Sequence, residues 1–220
     1  MSRGANPSDN AREKSPSGIN ERIPLIQQPQ PQPQQQTQSQ QKRIVVTVGT
    51  TGDSELVAGL MEFLRKQGVV RSANFREIPY NVRDMDQLEF DDVDVFILCH
   101  SIKNRRLSIT DVTDSLYDRL LQRACHNLGK SKVIILVYDF KSNDLQADAL
   151  AIKLQSFKIQ QTTACRKSSA VVFAGQCASS PPELPQDQLE KLQSSLQAAA
   201  SPPIMETIIV LLRKCLICAI

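Results

Sequence analysis

The chain has 220 residues, 41% of them hydrophobic, with 26 basic and 23 acidic side chains for a net charge of +3. That length suits one ordinary domain with appendages, and the apolar share is enough for a buried core. A basic excess this small, with no basic run interleaved with aromatics, excludes the usual nucleic-acid-binding signature. The opening MSRGANPSDNAREKSPSG is polar and lacks the apolar stretch of a signal peptide. The six cysteines (Cys99, Cys125, Cys165, Cys177, Cys215 and Cys218) are therefore expected as free thiols in a reducing, cytoplasmic setting. The C-L-I-C at the end has no second pair to complete a zinc site, so neither metal nor cofactor is expected.

Residues 1–42 read as a disordered tail, since QQPQPQPQQQTQSQQ (27–41) has no aliphatic residue to offset the entropy of ordering. Order begins at RIVVTVG (43–49), a short β-branched run expected as a buried strand. DSELVAGLMEFLRKQG (53–68) follows, with Leu56, Leu60, Phe63 and Leu64 at helical spacing, Asp53 placed to cap its start and Gly68 to end it. ANFREIPY (73–80) reads as a weaker, edge-like strand limited by Pro79. DVDVFILCH (92–100) is a strong buried strand, and TDVTDSLYDRLLQRACHNLG (110–129) an amphipathic helix with Leu116, Leu120 and Ala124 on one face.

KVIILVYDF (132–140) is a third clear apolar strand, followed by a helix around 145–156 and a loop to 167. SAVVFAG (169–175) is the next strand, and ASSPPELP breaks the chain after it. Two helices close the sequence, 186–199 with Leu189, Leu192 and Leu196, and 203–216 with Met205, Ile208, Ile209, Leu212 and Leu216. IIVLLRKCLICAI (208–220) is too short to span a bilayer and is interrupted by Arg213 and Lys214, so a membrane role is not expected. Lipidation of Cys215 or Cys218 stays open. Strands apolar on both faces, alternating with helices, predict a three-layer α/β sandwich over 43–220, with a mostly parallel sheet and helices on both sides. Sites in such sheets lie at the carboxyl ends of strands, which places Gly49–Gly52, Cys99–His100 and Tyr138–Asp139 on one edge.

Those strand ends resemble the caspase family of cysteine proteases. The family's D-x-x-V-x-L-S-H-G strand delivers its catalytic histidine, and DVDVFILCHS places His100 at the matching position. The strand introduced by GKPK and ending in Q-A-C-R-G, which carries the nucleophile, is similar to GKSKVIILVYDF. SAVVFAGQCASSPP looks like the F-x-x-A-Y-S-T-x-P-G strand, and GDSELVAGLMEFLRKQG like the family's first helix. The resemblance covers most of 43–218 as a pattern but is specific only in the two central strands. An unrelated flavodoxin-like domain shares the rest.

The departures carry the functional expectation. Asp139 stands where the resemblance puts the nucleophile, Ser101 follows His100 in place of an oxyanion-stabilising glycine, and Thr50 falls where an arginine would bind substrate aspartate. No R-x-x-x-G-S-W-like run follows Gly175, and the sequence ends where the family continues with a further strand. The resemblance therefore implies a non-catalytic homologue, neither catalytic nor metal-binding at His100 and Asp139. Its partner would be an active caspase or a related apoptotic regulator, met at the sheet edge formed by 169–174. The hydrophobic helix at 203–218 would offer a second docking face, secondary to that edge because packing on the sheet already explains its periodicity.

Other motifs admit a sharper and a plainer reading. Cys99 and His100 suggest a dyad, but neighbours in a strand point to opposite faces. The loop VGTTGDS (48–54) sits where a phosphate could be cradled, yet turn glycines and a capping Asp53 explain it, and the carboxylate would repel an anion. A nucleotide- or phosphate-binding domain, or a divergent hydrolase, using this edge is the alternative function. Asp139, Asp144 and Asp148 suggest a cation site or, more simply, caps and solvated charge. His126 reads as a residue at a helix carboxyl end, facing the dipole.

Overall fold

The computed structural model describes residues 42–104, 107–113 and 115–201. Its three central strands are the β-branched apolar runs: β1 (Ile44–Thr50), β3 (Val95–Ser101) and β4 (Val133–Tyr138), in which only Ser101 is not fully buried. With β2 (Val70–Glu77) and β5 (Ala170–Phe173) they form one sheet in the order β2-β1-β3-β4-β5. Every pairing is parallel, and β3 and β4 are neighbours, with Cys99 opposite Leu136 and Ser101 opposite Tyr138. This is the doubly wound α/β architecture with the flavodoxin-like strand order.

Two cores follow from the strand periodicity of two. On one face Val46, Val48, Ile97, Leu136 and Val172 pack against α1 (Ala58–Arg65) and α6 (Gln186–Ala200). On the other, Phe96, Leu98, Ile135, Val137 and Phe173 meet α3 (Asp118–Leu128), α4 (Ala147–Gln160) and α5 (Thr162–Lys167), with the single-turn α2 (Val82–Met85) beside them. Among the described residues no helix is long and apolar enough to cross a membrane. The expectations for the tail before Lys42 and for the helix at 203–216 lie outside the described residues.

Several boundaries differ from those expected. The first helix begins as a 3-10 turn, Ser54–Val57, which shifts the buried stripe to Val57, Leu60, Met61 and Leu64 and leaves Leu56 exposed over Gly52. Asp53 occupies the N-cap position, but its side chain makes no capping bond, and the helix stops at Arg65 rather than at Gly68. The helix expected from 110 starts only at Asp118. The preceding residues are instead held by side chains. Gln161, buried, accepts from the backbone N–H groups of Ile109 (3.1 Å) and Thr110 (2.6 Å). Asp111, at φ 60°, accepts from the N–H and hydroxyl of Thr163.

The loop expected up to residue 167 is helical. α4 runs four residues beyond 156, and after a break at Gln161 the chain continues as α5. α4 hides its period because it is apolar on two sides. Leu150 and Phe157 face the core, whereas Ile152 and Ile159 are each 68% exposed.

Both sheet edges are managed against unwanted pairing. β2 is an edge, as expected, and carries Arg71, Arg76 and Glu77 along it. β5 ends the sheet on the other side, but the edge expected to be open is guarded from α6. The Phe173 N–H donates to Gln188 Oε1 at 3.0 Å, and Lys191 Nζ donates to the Val171 carbonyl at 2.7 Å. Gln188 therefore takes a buried slot expected for an apolar residue, and Leu189 is left half-buried.

Candidate functional site

The parallel register brings the expected residues to one edge, at the carboxyl ends of β1, β3 and β4. The chain then separates their side chains. Cys99 faces the α1–α6 core, and burial, reinforced by neighbouring Cys177, pushes its thiol well above its usual range. His100 points the other way, 1% exposed, with Nδ1 3.5 Å from the Tyr117 hydroxyl and the two rings edge to face at 5.6 Å. A thiol and an imidazole on opposite sides of a sheet cannot share a proton, so the dyad reading fails on geometry.

Asp139 follows β4 with φ 71°, a left-handed conformation that aspartate tolerates better than most residues. Its N–H donates to the Gly175 carbonyl at 2.9 Å. Its carboxylate is engaged on both oxygens. Ser101 Oγ donates to Oδ2, and Lys103 Nζ lies 3.0 Å from Oδ1. Lys103 is 74% exposed, so this pair contributes little stability, on the order of 0–1 kcal/mol. Ser101 thus serves as a hydrogen-bond partner of Asp139.

Thr50 and the segment after β5 have structural roles of their own. Thr50 is buried and holds the hydroxyl of Tyr138, whose pKa burial nevertheless pushes up to about 12. Beyond β5, Gly175 donates its N–H to the Glu183 carbonyl at 2.8 Å, and the Glu183 carboxylate lies where a Cβ on Gly175 would be, 2.2 Å away. The ends of β4 and β5 therefore carry Asp139 and Glu183, a sign of charge unsuited to binding an aspartate side chain.

The β1 loop is likewise accounted for by packing. A Cβ on Gly49 would stand 2.8 Å from Phe96 and 2.9 Å from Ile78, and the Gly52 N–H donates to Thr50 Oγ1 at 3.3 Å. Asn104 Nδ2 spans the crevice between the β1 and β3 ends, donating to Thr51 Oγ1 at 3.2 Å and to Tyr80 OH at 3.3 Å. Tyr117 reaches the same Thr51, and burial raises its pKa. Asn104, Tyr80 and Tyr117 had no signal in the sequence, because their meeting depends on three separate loops.

The carboxylates do not cluster. Asp144 pairs with Lys153 at 3.3 Å, Asp148 is exposed, and among the described residues no three metal-ligating side chains converge. His126 sits exposed in the last turn of α3, as expected.

A scan against protein-family models finds no match, and a search of curated proteins finds none. Among solved structures, the chain is similar to the Trp repressor binding protein from Bacillus subtilis, 15% identical, over 72% of this chain and 97% of that one, with a TM-score of 0.32. A likeness of that size carries no functional inference, and the fold class rests on the strand order itself.

Proposed function

We propose that this chain is a non-catalytic homologue of the caspases that acts by binding another protein, an active caspase or a related apoptotic regulator. One observation carries the reading. At the end of β4, where the resemblance places a nucleophilic cysteine, stands Asp139 with both carboxylate oxygens engaged by Ser101 and Lys103. A carboxylate held this way does not replace a thiolate attacking a peptide carbonyl. The adjacent Cys99 is protonated, buried and on the wrong face. What remains is a folded α/β domain with surfaces. Strand addition at β5 would require a partner to displace Gln188 and Lys191 first.

The test has two arms. Incubated with aspartate-containing peptides and an aspartyl electrophile, the purified chain should show no turnover and no adduct. A stoichiometric adduct at Cys99 that disappears in Cys99→Ser overturns the non-catalytic half. Titrated into a panel of purified active caspases, the chain should bind at least one saturably and change its rate. Absence of binding across the panel overturns the partner.

A further inference from the structure

A cleft of about 340 Å³ runs beside β5, between α4, α5 and α6. Leu154, partly buried, and Val171, 8% exposed, supply its apolar surface, with the fully buried Phe157 beneath. Lys158 from α4 and Lys191 from α6 enter it from helices on opposite faces of the sheet, and among the described residues no carboxylate lines it. Lys191 is half-buried and uses one donor on the Val171 carbonyl, leaving two for another acceptor. Burial and the charge of Lys158 both disfavour its ammonium form. Asp187, one turn earlier, offsets this in part, although its Oδ2 already accepts from Gln188 Nε2. Positive charge is thus in excess against an apolar wall, in a cleft of the size that takes small ligands.

We propose that this cleft binds a small amphipathic carboxylate, a medium-chain fatty acid in size, with its head group between Lys158 and Lys191 and its chain against Leu154 and Val171. The inference is independent of the caspase reading. A ligand this small binds with a Kd on the order of 0.1–1 mM.

Cys165 lines the same cleft and provides a reporter, since it is only partly buried while Cys99 and Cys177 are buried. The full chain would be alkylated with iodoacetamide in increasing octanoate, and each cysteine followed by peptide mass spectrometry. Octanoate should protect Cys165 saturably and leave Cys125 unchanged. Lys158 is exposed, so Lys158→Glu can be made without disturbing the fold, which a thermal melt verifies. This variant should weaken protection at least tenfold, and Lys158→Arg should retain it. Octanol and inorganic phosphate separate the two halves of the ligand. Equal protection by either one alone, no protection by octanoate, or protection unchanged in Lys158→Glu would overturn the proposal.

Discussion

Gly59 lies inside α1, where alanine would favour the helix by about 1 kcal/mol. Local propensity therefore predicts that Gly59→Ala stabilises the protein. The packing predicts the opposite. A Cβ there would stand 1.7 Å from the Ser179 carbonyl oxygen, backbone that must retreat by about as much again to reach ordinary contact at 3.4 Å. That crossing segment is also anchored, because the Leu60 N–H donates to the Cys177 carbonyl at 3.0 Å. Overpacking of this kind costs about 1–3 kcal/mol, and a disrupted backbone hydrogen bond about 1 kcal/mol more. After the helix gain, the net loss is about 2 kcal/mol, a fall in Tm of about 4–8 °C for a domain of this size. Gly68 supplies the control, with nothing within 4 Å of its would-be Cβ. Gly68→Ala should be neutral or stabilising by up to about 1 kcal/mol. Thermal unfolding of both variants by circular dichroism makes the comparison. A Gly59→Ala protein melting at or above the parent would refute the close crossing of 177–179 over α1.

Three further outcomes follow from the site and the edge. Burial raises Cys177 from 9.0 to about 12 and Tyr138 from 10.0 to about 12, so the folded protein retains protons that the unfolded chain releases. Their contribution is complete below about pH 9 and is lost as pH climbs toward 12. Urea unfolding between pH 8 and 10.5 should show falling stability, and Cys177→Ala should remove about 1.4 kcal/mol per pH unit from the decline above pH 9. Asp139→Asn keeps an acceptor for Ser101 and loses only the ion pair with exposed Lys103, so urea denaturation should register a change below about 1 kcal/mol. Asp139→Val, β-branched at φ 71°, should cost about 2 kcal/mol in the same experiment. Replacing both Gln188 and Lys191 by alanine frees the Phe173 N–H and the Val171 carbonyl, and sedimentation should then reveal concentration-dependent self-association absent from the parent.

The strands were legible because burial on both faces leaves a plain signal, continuous β-branched runs such as IVVTVG and VIILVY. Parallel pairing then placed His100 and Asp139 at one sheet edge without further information. The failures lie where a polar side chain determines the backbone. The start of α3 was misplaced because Gln161, some fifty residues downstream, holds the N–H groups of Ile109 and Thr110 in a loop that turns through Asp111 at φ 60°, outside helical backbone. α4 was cut short because Ile152 and Ile159 blur its period, and α6 was read with Leu189 inward because a buried glutamine serving a strand edge looks like a surface residue. At the site, the sequence placed Ser101 and Asp139 at neighbouring strand ends. It did not show that Ser101 and Asp139 would bind each other, since that pairing needs β3 and β4 in register.

The bonds from Gln161 and Asp111 join two segments that belong to different crossovers of the fold. Ile109–Asp111 precedes α3, and Gln161–Ala164 joins α4 to α5, with Thr110 Oγ1 accepting from the Ala164 N–H at 3.1 Å. Neither segment can open while keeping its backbone donors satisfied, because each supplies acceptors to the other. They therefore form one cooperative opening unit, and their amides should exchange with solvent deuterium at a common free energy although β4 separates them in the chain. Gln161→Ala would lower that free energy for both segments together and leave the protection of β1 and β3 unchanged.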